Sequence, residues 1–574
     1  FAEGTSNPWG LDYDQYGEFF VTACVIPHLY HIVPGGRYQR QAVPHLNPYT
    51  YDDIKTIADH AHYAGNPRPD VTFDKATGAG VMNEDTNALG GGHAHCGLAI
   101  YQSSIFPPTY RNQFIFGNLH GHRLVTDYTD VHGSTYIGKH GADFMRSNDM
   151  NFIPVTQKVG PDGALYVSDW SDKQVCHRGS NAVENWDRSN GRIYRVTYAG
   201  PPPTSDLSDK SDVPKAPFDL AKGSDENLAR LAVQTGNEWF SRMARRVLME
   251  RAIDRELDVP SLKDPGAKQT PKWVWATHCI ERTRNPNATS HIINSRNTDE
   301  NARRWGIRVC GESDEANSIQ EQGDSTNHWS LLLSKGSLVE LAKTEPASSV
   351  RRELASLLQR IPHDQRQPLA TALLSHGEDA EDPMIPLLIW YGIEPVVGAD
   401  PKAGLEFARV SKMPKVTEFI YRRLSSDDAG RASVLAALMN EPDAAKREAT
   451  LAMILTSARG AGKLVMPPDW ANISARLGSS PSVQELSALF GDPGALKSFR
   501  DQLGLATASV ADRDHALAVL LQTGDPETAK ILQQLLTQSA PTSLRRKAIQ
   551  ALASLRDAGT PALLSSLLPK LSTN

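Results

Sequence analysis

The chain has 574 residues, enough for more than one domain, and 40% of them are hydrophobic, the share of an ordinary globular protein. A net charge of -6, from 60 basic and 66 acidic side chains, leaves no basic footprint of the kind that nucleic-acid binders carry. No run approaches the roughly 18–20 apolar residues that span a bilayer, and the five cysteines (Cys24, Cys96, Cys176, Cys279, Cys310) contain no C-x-x-C pair, so they suggest neither a zinc site nor a disulfide framework.

In chain order, Asn7 to Thr22 reads as strand, turn and strand, with Gly17 at the turn. Residues 42–92 form a long irregular insertion rich in His, Asp, Asn, Gly and Pro; such loops are usually functional or disordered. It ends in Gly90-Gly91-Gly92-His93-Ala94-His95, where glycines permit close backbone approach and two imidazoles at i, i+2 share one face of a strand. A second strand pair is expected over His95–Tyr101 and Gln113–Leu119, followed by His120-Gly121-His122 in the same spacing. A third runs from Phe152 to Val196. Its centre is Gly160-Pro161-Asp162-Gly163-Ala164-Leu165-Tyr166-Val167-Ser168-Asp169-Trp170, a glycine turn feeding a short β-prone run.

Repeated strand–turn–strand units are the grammar of a β-propeller blade. Residues 1–200 hold three or four such units, fewer than most closed propellers, so the expectation is a partial propeller whose first blades precede Phe1. The catalytic candidates in it are His93, His95 and His120. The alternative for each is a histidine that only satisfies loop hydrogen bonds. Asp169, at a strand end, is the candidate metal ligand, or else a turn cap. Asp143, Asp149, Asp169 and Asp172 are too widely spread for an EF-hand calcium loop.

The texture changes near Gly200. Residues 201–224 read as a Pro/Ser/Asp/Lys-rich linker, and helices are expected from 225 to 574. Asn237–Arg251, Glu300–Cys310, Ser349–Gln359 and Leu544–Ala553 each combine an arginine pair with an apolar i, i+3, i+4 stripe. That irregular recurrence is the mark of helical-pair repeats of HEAT type. The fold class expected is therefore multidomain, an all-β propeller portion followed by an all-α solenoid.

With those elements in place, the chain resembles the membrane-bound dehydrogenase family of planctomycete and verrucomicrobial bacteria. The likeness runs through Asn7-Pro8-Trp9-Gly10-Leu11-Asp12, His95–Tyr101, Phe106–Arg111, Gly160–Trp170, Gly191–Val196, Asn237–Arg246, Asp382–Tyr391 and Leu489–Pro493. Such proteins join a glucose/sorbosone-dehydrogenase-like propeller to HEAT repeats, often with a cytochrome c domain after them. The resemblance implies a periplasmic or cell-surface oxidoreductase of sugars or related alcohols and aldehydes, passing electrons to a c-type cytochrome in cis or in trans. It also implies pyrroloquinoline quinone and calcium as cofactors, with Asn7 as a cofactor contact and His31 near the channel. Ser6 stands where the quinoprotein relatives carry an arginine, and Phe152-Ile153-Pro154-Val155 where they carry an Arg-x-Arg clamp. The haem signature C-x-x-C-H is absent from these 574 residues, since Cys176-His177 lacks the first cysteine. A haem c is therefore expected only in a domain beyond Asn574 or on a partner. The alternative is a non-catalytic propeller/HEAT scaffold that binds glycans or protein.

Overall fold

A computed structural model describes residues 1–24, 27–65, 71–73, 80–82, 84–149, 151–170, 189, 191–200, 219–234, 236–263, 270–281, 299–311, 337–537, 541–555 and 557–568. The expected Cys176-His177 and most of the expected linker lie outside the described residues. The chain is strand-rich to about residue 200 and helical after it. Its compact units divide later than that change of texture, into Phe1–Ile393 and Glu394–Asn574. Among the described residues no helix is long and apolar enough to cross a membrane.

Among the described residues the strands form four antiparallel sheets. β1 (Pro8–Tyr13), β2 (Phe19–Ala23) and β3 (Leu29–Ile32) make the first, and β4 (Val71–Phe73) pairs with β5 (Gly80–Met82). β6 (His95–Ile100), β7 (Phe114–Asn118), β8 (Arg123–His132) and β9 (Thr135–Arg146) form a four-stranded meander. β10 (Pro154–Val159), β11 (Leu165–Asp169) and β12 (Ile193–Val196) complete the set. All three expected strand pairs are present.

The meander is buried on both faces through β6, β7 and the start of β8, to Asp127. Phe114, Phe116 and Val125 pack with Phe20, Leu29, Leu98 and Ile100 on one side. Ile115 and Leu124 pack with Phe152, Leu165 and Val167 on the other. This is the period-2 alternation of a strand, and each buried Phe or Leu contributes about 1.5–3 kcal/mol. At the β1–β6 contact a Cβ on Gly10 would lie 2.2 Å from the Gly97 carbonyl carbon, so only glycine lets these backbones meet. A break in β6 register between Cys96 and Ala99 falls there.

The helices up to Ile393 belong to the same unit as the sheets. Asn237 caps the helix Glu238–Asp254 and donates to the Pro161 carbonyl at 3.1 Å. Arg242 binds Asp12 at 2.7 Å and lies over the Tyr13 ring. Glu18, in the β1–β2 hairpin, is fully buried, with Arg304 at 2.7 Å and Arg352 beside it. Ser134, in the two-residue turn between β8 and β9, is held by Asp382 at 2.7 Å. These arginines are ion-pair partners of the strand segment.

The second unit is helical throughout its described residues. Several of its helices are started by side-chain caps, Asp400 on Lys402 and Ala403, Asp443 on Ala445 and Lys446, Ser480 on Val483 and Asp492 on Ala495. The expected helix over Leu544–Ala553 is found as Thr542–Leu555.

Candidate functional site

The polar continuation of the Phe116 core is a group of histidines around one carboxylate. Asp127 lies on β8, two residues after Val125 and on the same face, and pairs in register with His140 on β9. His28 precedes β3. His60 and His62 come from the irregular insertion, which is fixed to the sheets by an Ala58–Gly138 bridge and by the Ile57 amide on the Leu29 carbonyl at 3.0 Å. His95 opens β6.

Asp127 Oδ2 is 2.7 Å from His28 Nε2. Its Oδ1 faces His60 Nε2 at 3.3 Å, His62 Nε2 at 3.7 Å and His140 Nδ1 at 4.0 Å. His62 Nε2 is also 2.8 Å from His140 Nδ1, and His62 Nδ1 is 2.9 Å from His95 Nε2. Phe116 backs the group, its ring centroid 5.5–5.8 Å from those of His28, His62 and His95. His28, His62, His95 and Asp127 are buried, whereas the His60 and His140 side chains are 17% and 35% exposed and form the mouth.

Burial sets the electrostatics. It holds the His62 and His95 imidazoles well below their usual range, and the neighbouring His28 adds to this. Burial also lowers His140. For Asp127 burial works the other way, but the charge and hydrogen bond of His28 outweigh it and hold the carboxyl well below its usual range. For His60 contact with Asp127 outweighs burial, and its pKa is raised. The result is a buried carboxylate beside imidazoles of which burial keeps His62 and His95 neutral. The nitrogens of His28, His60 and His62 and an Asp127 oxygen all lie within 4.8 Å of one another, the spacing of donor atoms around one ion.

The sequence candidates fall in several places. His95 belongs to this group. His93 and His120 pair with each other, ring centroids 4.9 Å apart, where the Gly90–Gly92 turn packs on His120. His31 is fully buried in the charge cluster, with Nδ1 on Thr135 Oγ1 at 2.8 Å and Nε2 on Glu18 at 3.0 Å. Asn7 is exposed, with φ 45°, and its carbonyl accepts from the Cys24 amide. Asp169 is bound by Arg192 at 3.0 Å.

The quinone implied by the resemblance requires cationic donors for its carboxylates. At the corresponding places Ser6 donates to Gln41, and Phe152 and Ile153 are buried core. Those residues do not fit a tricarboxylate cofactor.

His28, His60, His62, Asp127 and His140 were not among the sequence candidates. A signal was there: His60-Ala61-His62 repeats the spacing of His93-Ala94-His95 and His120-Gly121-His122, and Asp127 interrupts the apolar run Leu124-Val125.

Among known proteins, a family described as a domain of unknown function, DUF7133, matches residues 1–200. No curated protein matches. A solved structure from Thermus thermophilus, described as an oxidoreductase (glucose dehydrogenase), is 18% identical. That match covers 34% of this chain and 46% of the other, with a TM-score of 0.21. The chain thus spans less than half of that protein's length, and at that TM-score the likeness bears on neither fold nor function.

Proposed function

We propose that the protein is an oxidoreductase of dehydrogenase type, acting on the hydroxyl or aldehyde carbon of sugars or related compounds, with its reaction centre at the Asp127 histidine group. The four sheets of residues 1–200 are then blades of a propeller and the later helices a HEAT-type array, as the resemblance implies. One observation carries the reading: a buried, ionised Asp127 is ringed by four imidazoles, two of which reach the mouth, with a fifth, His95, behind His62. Burying that many polar groups costs stability that pairing offsets only in part, a cost that a reaction centre accounts for.

At the mouth His140 is the general base. It takes the proton of the substrate hydroxyl. The carbon gives up two electrons and a second proton. A c-type haem, two equivalents per substrate, would be the terminal acceptor of those electrons, and the proton would pass to water. The setting is periplasmic or cell-surface, as in the family resembled.

The test is dye-linked oxidation by the full chain of a panel of aldoses, alditols and aldehydes, an artificial acceptor replacing the cytochrome. Substrate-dependent dye reduction that falls about 10²–10⁴-fold in H140Q supports the reading, the usual cost of removing a general base. Absence of reduction across the panel overturns it in favour of the binding scaffold.

A further inference from the structure

We propose that His28, His60, His62 and Asp127 bind one divalent first-row transition-metal ion, and that His95 is a positioning residue for His62. The proposal deepens the reading of this group as a reaction centre.

Three observations carry it. The first is the donor set. Three imidazole nitrogens and one carboxylate oxygen lie within 4.8 Å of one another. Around an ion with ligands at about 2.0–2.2 Å, tetrahedral donors sit about 3.4 Å apart. Asp127 Oδ1 stands 3.3 and 3.7 Å from the His60 and His62 nitrogens, close to that value, while His28 reaches the other oxygen, Oδ2, at 2.7 Å. Closing on an ion therefore draws in donor atoms that already lie within 4.8 Å of one another.

The second is an unsatisfied pair of buried atoms. Asp127 Oδ1 and His60 Nε2 have no aligned hydrogen bond among the described residues, although they face each other at 3.3 Å. Oδ1 is a carboxylate oxygen with three imidazole nitrogens turned towards it at 3.3–4.0 Å, of which only His60 approaches hydrogen-bond contact. A buried anionic oxygen left this way is costly, and an ion placed between it and the nitrogens satisfies all of them.

The third lies behind the donors. A histidine that binds a metal through Nε2 donates its other ring N–H to a partner, which fixes tautomer and orientation. His62 Nδ1 has that partner in His95 Nε2 at 2.9 Å, and His95 is itself buried. The ligands are also well anchored, since Asp127 is on a central strand and Phe116 walls the inner side.

Three nitrogens and one oxygen suit zinc, iron, manganese or cobalt, whereas calcium takes about 6–8 oxygens. The site is thus distinct in residues and in metal class from a calcium site at Asp169.

The experiment is titration of the chelator-stripped, full-length protein with Co2+, followed by visible absorption and by metal analysis after dialysis. The expected result is one equivalent bound, with the intense bands of four- or five-coordinate cobalt, displaced by Zn2+ and not by Ca2+. H28Q and D127N should each weaken binding at least 100-fold. H95F should weaken it about 10–100-fold and shift the cobalt spectrum, with H95Q restoring most of both, because the glutamine oxygen still accepts from His62. Less than a tenth of an equivalent on the wild-type protein overturns the ion site, whatever the variants do. Equal binding by wild type, H28Q and D127N overturns the assignment of its ligands, and H95F binding cobalt like wild type overturns the role of His95. No turnover is involved, so the metal site and the oxidoreductase reading fail separately.

Discussion

Asp14 is buried in the β1–β2 turn, where its Oδ1 accepts from the backbone amides of Tyr16 and Glu18. Burial, and after it the charge of Glu18, raises its pKa from 3.8 to about 7. The unfolded chain ionises Asp14 near the ordinary value, so its contribution to stability is fully present below about pH 4 and is lost as pH rises through about 7. D14N keeps the oxygen acceptor and removes the titration. Measured by denaturant unfolding, its stability relative to wild type should improve by about 1–3 kcal/mol between pH 5 and pH 8. A constant difference across that range would show that Asp14 is ionised in the fold. His31 carries the opposite slope: burial lowers it from 6.5 to about 4, so its contribution is lost as pH falls through that window. The wild type-to-variant difference, not the raw profile, therefore isolates Asp14. At this same scale the sequence was least legible. Motif spacing singled out His93, His95 and His120, but three histidine pairs share that spacing. What separates His60 and His62 from His93 and His120 is their nearness to Asp127, a contact between residues more than sixty positions apart that no local pattern encodes.

At the scale of elements, the Gly90–Gly92 turn decides how β6 begins. Gly91 has φ 98°, and a Cβ there would lie 2.6 Å from the Gly121 Cα, a backbone atom that cannot step aside. Asn118 then clamps the turn by donating to the Gly90 and Gly92 carbonyls, both at 2.9 Å. G91A should destabilise the first unit by about 2–4 kcal/mol, from a strained φ and an overpacked contact together. G191A is the control: its Cβ meets nothing within 4 Å, and it should stay within about 0.5 kcal/mol. Equal effects in thermal unfolding would contradict the close-packed turn. Strands such as β7 and β11 were readable because apolar and β-prone residues cluster between turn signals. The insertion 42–92 was readable only as irregular, since its residues 42–65 are placed by isolated bridges and single hydrogen bonds rather than by a periodic face.

The change from strands to helices near residue 200 was legible in composition, but the limit of the first compact unit at Ile393 was not. Its cause is burial of charge across a long sequence separation. Glu18 is fully buried and finds its cations in Arg304 and Arg352, about three hundred residues on; Arg352 and Arg308 are shared with Glu353. Burial alone would raise the Glu18 carboxyl, but Arg304 and Arg352 hold it well below its usual range. A chain cut at 200 keeps Glu18 and loses both arginines, and stranding one member of a buried ion pair costs about 3–5 kcal/mol. It also uncovers Tyr13 and Phe19, which pack edge-on or tilted against Trp275 and Trp305. A domain's whole margin is about 5–15 kcal/mol, so these losses are decisive. Residues 1–200 should therefore fail to fold cooperatively and should aggregate, residues 1–393 should unfold in one calorimetric transition, and residues 394–574 should fold alone as a helical array. A sharp transition and a protease-resistant core from residues 1–200 would show that the strand-rich segment is self-sufficient, and that the arginines of the later helices decorate it rather than complete it.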